Sequence, residues 1–508
     1  MPSLRDERAF VTWSQRVLAS LAALSDRPAA ISVNAGSVES WSGEELLRMT
    51  GGALDTLDEL GVEAGHVVPA LFASRPTSIA MMLACAVSGR PLAPLAPRTT
   101  RRELLACIDN LSGKALLTDP EFAELARELA DSTGRRVKVI EAPRFSDREL
   151  TANDDPDSVA FVMHTSGTTG LPKSVPVREA PLNRRADVNG HLLNLRPGDR
   201  LATAAMFHHV GALGNVAVTM ANSAALVSFP AFSVDAWRGL EAVEPTHSVV
   251  VPSIIEILLS ANAFTLPTLR VLAYGGSPIH PDTMRRVQEV MPGVDFVNLF
   301  GQTEGSPLTV LDADDHRAAA SGQTELLRSV GRPAPGVELQ IHDPDPNGIG
   351  EVWARSAHSF VVDEDGWQHT GDLGHLVDGY LYLDGRRGDK IIRGGENVFP
   401  LEVEQILETH PEVREAAVVG VPDQRLGEAI AAYVVAADPS APPSPEALRG
   451  YARERLAGFK VPTTWNFIDA LPRNPNGKVV RRALTSSREH TPTASTPPSR
   501  EQTQKSPN

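Results

Sequence analysis

The sequence predicts an α/β protein followed by a smaller α+β unit, on three observations. From about residue 155 short apolar runs alternate with helical patterns, the mark of βαβ units around a mostly parallel sheet. After about residue 335 the texture changes to hairpin-like strands such as "GYLYLDG". A second change follows "GRRGDKIIRGGENVFP", beyond which a compact α+β unit of about a hundred residues is expected.

The elements follow in order. "SVAFVM" reads as a strand, as do "LVSF", "HSVVV", "LRVLAY" and "DFVNLF". "PDTMRRVQEVMPG" reads as the helix between the last two: Pro281 suits a first turn, Met284, Val287 and Met291 recur at helical spacing, and Pro292-Gly293 ends it. In the smaller unit "LEVEQILETH" places Val403, Ile406 and Leu407 on one helical face. "EAAVVGV" and "AIAAYVV" are strands, and Ser444-Pro445 opens a second helix. From Thr485 onward almost no apolar residue remains, which predicts a disordered tail.

Composition excludes several classes of function. A chain of 508 residues holds two or three domains and can bury an active site. Its net charge of -15, 5% aromatic content and lack of a basic block argue against nucleic acid and for small-molecule chemistry. Two cysteines, Cys85 and Cys107, supply neither a disulfide framework nor a metal cluster and fit a reducing compartment. The run Ile79 to Val87 is far shorter than the roughly 20 residues of a spanning helix, and "MPSLRDERAF" lacks a signal-peptide core. A soluble cytoplasmic protein is expected, monomeric or homodimeric, with no membrane partner.

Three predicted strands, ending near Met163, Tyr274 and Phe300, each run into a polar or glycine-bearing loop: "HTSGTTG", "GGSP" and "GQTEG". In one parallel sheet such loops converge at the carboxyl edge, where ligands bind. The first loop offers hydroxyls and close-approaching main-chain N–H groups to phosphate oxygens, and Lys173 adds a charge. It is not a Walker loop, because Pro172 stands where the second glycine of that motif belongs.

With its flanking lysine, "TSGTTGLPKS" resembles the signature of the adenylate-forming, or AMP-binding, superfamily: acyl- and aryl-CoA synthetases, luciferases and peptide-synthetase adenylation domains. The resemblance spans about residues 10 to 485 and recurs in order as "MFHHVG", "YGGSPI", "NLFGQTEG", "WQHTGDLG", "GRRGDKIIRGGENVFPLEVE" and "RNPNGKVVRR". It implies a large N-terminal domain of mostly parallel sheets wrapped by helices, with a β-barrel-like subdomain, over residues 1–385. A hinge at 386–389, including Gly388 and Asp389, a small mobile lid at 390–484 and a tail at 485–508 would follow.

The reaction the resemblance implies is attack of a carboxylate on the α-phosphate of ATP, giving an acyl-adenylate and pyrophosphate, then displacement of AMP by a thiol. Thr165, Ser166, Gly167, Thr168, Thr169, Gly170 and Lys173 would hold the β- and γ-phosphates. Gly275, Gly276, Ser277, Phe300, Gly301 and Gln302 would complete the nucleotide site, with Thr303 at the α-phosphate and Glu304 associated with Mg²⁺. Asp372 would accept both ribose hydroxyls, with Arg386 beside it. Lys478 matches the mobile lid lysine that bridges the attacking carboxylate and the α-phosphate. His208 would gate an acyl pocket formed with His209, Val210, Gly211, Phe300 and Ser306, while Arg393, Gly394, Gly395 and Glu396 would line the path of CoA or another acceptor.

Three departures bear on specificity. Gly388 stands where many relatives carry Asp or Lys, Phe300 replaces a usual tyrosine, and "SVPVREAP" follows Lys173 in place of a glycine-led stretch. The leading expectation is an ATP-dependent acid:CoA ligase for an aromatic or short-to-medium acyl acid. The alternatives are a carrier-protein thiol or amine as acceptor, nitrite-dependent diazotisation of an aryl amine in a natural-product pathway, and a catalytically inactive binding protein. That last reading sits poorly with the presence of Lys173, Glu304, Asp372, Arg386 and Lys478 together.

Overall fold

A computed structural model describes residues 11–166, 172–264, 266–394, 396–473 and 478–486. The chain divides into two compact units between Gly388 and Asp389. The predicted tail from residue 487 lies outside the described residues; Thr485 and Ser486, expected to begin it, instead end the helix Arg481–Ser486.

Two large sheets build the first unit. A 9-stranded sheet runs in the order Arg332–Pro333, Gly305–Leu311, Asp295–Gln302, Val271–Gly275, His247–Val250, Arg200–Thr203, Ala225–Ser228, Pro28–Asn34, Ser37–Ser42, parallel inside and antiparallel at its edges. A 6-stranded sheet runs Arg136–Val139, Ala115–Thr118, Val68–Leu71, Leu92–Pro94, Val159–Ser166, Pro172–Arg178. A 4-stranded antiparallel sheet holds Glu338–His342, Gly350–Arg355, Gln368–Val377 and Tyr380–Arg386.

This arrangement corrects one expectation. The strand ending near Met163 belongs to the 6-stranded sheet, whereas those ending near Tyr274 and Phe300 belong to the 9-stranded one, so the three loops do not share one sheet edge. Two of them connect antiparallel neighbours instead of leading to a helix: Val159–Ser166 pairs with Pro172–Arg178, and Asp295–Gln302 with Gly305–Leu311. Apolar alternation cannot tell a strand–turn–strand from the start of a βαβ unit when the turn is short.

The largest core contains the helices Trp13–Leu24, Pro76–Val87, Glu179–Leu192 and Val210–Ala221 together with strand residues Phe161, Ala273 and Val310. Pro76–Val87, the longest apolar run, is a buried core helix, and among the described residues no helix is long and apolar enough to cross a membrane. Glu179 begins its helix inside this core. Its Oε2 accepts from Ser14 N at 2.9 Å and its Oε1 from Ser14 Oγ at 2.7 Å. Burial pushes its pKa up to about 7 from the ordinary 4.5, against the downward pull of Ser14 and Trp13. The folded chain therefore keeps this proton longer than the unfolded one, so the associated stability is full below pH 4.5 and is lost as pH rises through about 7. Glu179→Gln keeps the shape without titrating, and its Tm should fall less than the wild type's over that window in a thermal-unfolding pH series.

The second unit is a sheet of Glu396–Val398, Ile391–Arg393, Gly427–Ala436 and Val413–Asp423, with Thr464–Phe467 added parallel to Gly427–Ala436. Its first helix, Pro400–Glu408, buries Val403 and Leu407 as expected and, unexpectedly, Glu404. Pro445–Arg453 is capped by Ser444 Oγ, which accepts from Ala447 N at 3.1 Å.

Candidate active site

The phosphate-loop candidate is closed by register. Thr165 pairs with Lys173 and Ser166 with Pro172, which sets the threonine beside an exposed lysine at the mouth of the loop. Gly167, Thr168, Thr169 and Gly170 lie outside the described residues. On the other sheet, a Cβ at Gly275 would stand 2.3 Å from Leu299 O, so only glycine lets this strand approach its neighbour; Gly276 follows with φ +85° and leads to Ser277. Gln302 pairs with Gly305, which puts Thr303 and Glu304 at the tip of a hairpin, and Glu304 O accepts from Phe360 N at 2.7 Å. Gly301 faces Ser306 so closely that a Cβ would lie 2.7 Å from the serine Cβ.

Three motifs far apart in sequence meet at Asp372. This residue is 5% exposed. Oδ2 accepts from Gln302 Nε2 at 2.6 Å and Oδ1 from Arg386 Nε at 2.9 Å. Gln302 Nε2 also donates to Thr370 O at 2.6 Å, while Asp372 N donates to Thr370 Oγ1 at 3.1 Å. The bend before it depends on Gly371, at φ +68°, whose N–H is held by Glu351 Oε1 at 3.1 Å. The result is a fixed acceptor-only carboxylate with lone pairs to spare, the chemistry a vicinal diol needs.

His208 and His209 precede the helix Val210–Ala221 and meet edge to face at 4.1 Å. Burial first, then His209 and Arg98, holds His208 well below the usual imidazole range, so it is neutral at physiological pH. Its Nδ1 is buried with no partner among the described residues. Ser74 Oγ, on the loop after Val68–Leu71, accepts from Phe207 N at 3.2 Å and fixes the motif against the other sheet. Val210 and Gly211 open the helix, and Phe300 lies half-buried on its strand.

In the second unit Arg393 pairs with Glu396 across a tight turn and donates to Phe459 O. Gly394 sits at φ +61°, its N–H on Leu426 O at 2.7 Å; Gly395 lies outside the described residues. Arg393, Arg449 and Arg453 line a cavity of about 260 Å³ with Gly458, Val461, Pro462 and Thr463. Lys478 is exposed. Its backbone is anchored by a bridge between Arg473 and Val479 and by Val480 N on Pro472 O at 2.7 Å. Arg481 then donates to both oxygens of Glu404, at 2.8 and 2.7 Å, and to Asp389 Oδ2 at 3.2 Å. Gly388 has open space where a Cβ would stand.

Among the described residues no cluster of three or more His, Cys, Asp or Glu side chains could hold a metal ion. A lone, half-buried Glu304 fits Mg²⁺ that arrives on a nucleotide with its waters and takes one protein carboxylate.

The family model described as AMP-binding enzyme matches residues 19–361, and the AMP-binding enzyme C-terminal domain matches residues 402–478. The chain belongs to the AMP-binding enzyme family. Among curated members, a fatty acid–[acyl-carrier-protein] ligase, ScoC, of Streptomyces coeruleorubidus is 31% identical over 87% of this chain and 90% of its own. A feruloyl-CoA synthase of an Amycolatopsis species is 32% identical over 86% and 92%. The amide bond synthetase McbA from Marinactinospora thermotolerans superposes with a TM-score of 0.83 at 28% identity, over 94% of this chain and 99% of that one. The α/β fold with a small C-terminal domain is thus that of adenylate-forming enzymes.

Buried charges that went unread in the sequence include Glu404, which anchors Arg481, and Arg185, on the core face of the helix Glu179–Leu192. A charge at core-helix spacing among Leu182, Ala186 and Asn189 was the available signal.

Proposed function

We propose that this AMP-binding enzyme activates a carboxylic acid with ATP and passes the acyl group to the thiol of CoA. The observation that carries the reading is the convergence of Gln302 and Arg386 on the buried Asp372, a ribose-binding geometry beside the Glu304 hairpin. A carboxylate oxygen of the acid attacks the α-phosphorus, the bond to the pyrophosphate oxygen breaks, and pyrophosphate leaves. Thr165, Ser166, residues 167–170 and Lys173 take the β- and γ-phosphates, Gly275, Gly276 and Ser277 flank the adenosine, and Thr303 contacts the α-phosphate. Glu304 would hold Mg²⁺, which when bound would neutralise phosphate charge. Lys478 bridges carboxylate and phosphate, and neutral His208 bounds an acyl pocket for an aromatic or short-to-medium acid. The thiolate then attacks the acyl carbon and AMP departs with the bridging oxygen.

The division of the chain between Gly388 and Asp389 supports a hinge at 386–389, including those two residues, and a small lid at 390–484. The feruloyl-CoA synthase favours CoA as acceptor; ScoC favours a second reading, a carrier-protein thiol. Either acceptor carries phosphate, which suits the groove of Arg393, Arg449 and Arg453. Arg449→Glu combined with Arg453→Glu should raise the acceptor KM by roughly tenfold or more in a thioester assay, while acid-dependent pyrophosphate exchange changes by less than about twofold. Two free, buried thiols fit a cytoplasmic setting.

Pyrophosphate exchange into ATP without acceptor, over aryl, cinnamyl and alkyl acids plus nitrite, tests the reading. Exchange with one acid class is expected; exchange with nitrite alone would replace acid activation by diazotisation.

A further inference from the structure

Arg185 is 3% exposed, inside the largest core. Its Nη2 donates to Val210 O at 3.0 Å, in the first turn of the helix that follows His208 and His209. Nε and Nη1 are buried with no partner among the described residues. Burial alone pulls its pKa down to about 10, and no carboxylate pulls it back up. It remains a cation at neutral pH.

Its surroundings belong to the site. The guanidinium carbon lies 5.9 Å from the ring centroid of Phe360, whose N–H is bonded to Glu304 O. His358, next to that segment, is bonded to Pro307 O at 2.8 Å, directly after Ser306, and feels the charge of Arg185. Gly214 lies one turn into the helix from Val210, and a Cβ there would stand 2.6 Å from Nη2; glycine makes room for the guanidinium. The cation thus lies between the start of the acyl-gate helix and the segment that braces the Glu304 hairpin.

A buried guanidinium with two unpartnered nitrogens is costly to the ligand-free fold, and removing such charges in favour of apolar groups is often neutral or stabilising. Its use is therefore sought in the complex. Nitrogens in a planar fork match the two oxygens of a carboxylate. We propose that Arg185 is a specificity residue that binds a second carboxylate of the acid substrate, making the preferred substrate a dicarboxylic acid activated at its other end. This rests on the acid-activation reading and narrows its substrate class.

The test uses the full chain and matched acids: C4 to C10 aliphatic monocarboxylates and their ω-dicarboxylates, p-toluate and terephthalate, and the ω-monoamides as neutral acceptors. Pyrophosphate exchange and the ligand-induced rise in Tm are measured for wild type, Arg185→Leu and Arg185→Lys. In at least one pair the wild type should favour the dicarboxylate, in kcat/KM and in Tm rise, by about 10- to 100-fold in affinity terms. Arg185→Leu should reverse that preference, Arg185→Lys should keep part of it, and ligand-free Arg185→Leu should melt no lower than wild type. The aliphatic and aromatic pairs separate the two sources of a second carboxylate. Preference for the neutral member of every pair, equal loss for both members in Arg185→Leu, or a markedly lower ligand-free Tm would each overturn the proposal, the last by showing a structural role. A dicarboxylate-specific Tm rise without exchange would support the subsite and sink acid activation; exchange confined to monocarboxylates would do the reverse.

Discussion

Lys478→Ala is expected to lower acid-dependent pyrophosphate exchange by about 10²- to 10³-fold, the cost of removing one donor aimed at charge that develops in the transition state. The side chain is exposed, so its removal leaves no cavity. The backbone around it is held independently by the Arg473–Val479 bridge and by Arg481 on Glu404 and Asp389. Tm should therefore change by less than a few degrees. Thioester formation from a synthetic acyl-adenylate should change far less than exchange, because the bond to phosphorus is then already made. Equal loss in both half-reactions would make Lys478 a general binding or structural residue.

Asp372→Ala should raise the KM for ATP by about 10²-fold or more, since two hydrogen bonds to a charged acceptor are each worth about 1.5–3 kcal/mol. The loss is specific to ribose. A 2′-deoxy nucleotide should already suffer part of it in the wild type and little more in the variant, a double-mutant comparison that isolates the hydroxyl contact. The variant also frees Gln302 and Arg386 from their shared anchor. Asp372→Asn, which keeps the shape and one acceptor, should lie between the two. If ATP and its deoxy analogue weaken equally in both variants, the carboxylate braces the sheet and does not touch ribose.

Much of this was legible in the sequence because the site is built from short segments whose residue types carry the chemistry. Gly275 is required by the 2.3 Å approach to Leu299 O, and Arg386 ends the strand that the alternation of "GYLYLDG" already suggested, opposite Asp372 on the neighbouring strand. Sheet membership was not legible. The antiparallel partner of Val159–Ser166, Pro172–Arg178, follows it in the chain, but its parallel partner, Leu92–Pro94, is far away, and nothing local marks which sheet a strand joins. The first 150 residues illustrate the same limit, since their strands are split between both large sheets. Arg185 escaped for a different reason: an arginine in a helix is read as a solvated stem until its burial is known, and burial depends on the neighbouring helix Val210–Ala221.

Transfer of labelled oxygen tests acid activation most directly. With an accepted acid labelled with ¹⁸O in its carboxylate, ATP and CoA, one labelled oxygen should appear in each AMP formed, because the acid supplies the oxygen that bridges to phosphorus. Unlabelled AMP, or ADP and phosphate in its place, would contradict an acyl-adenylate and with it the assignment of Asp372, Glu304 and Lys478.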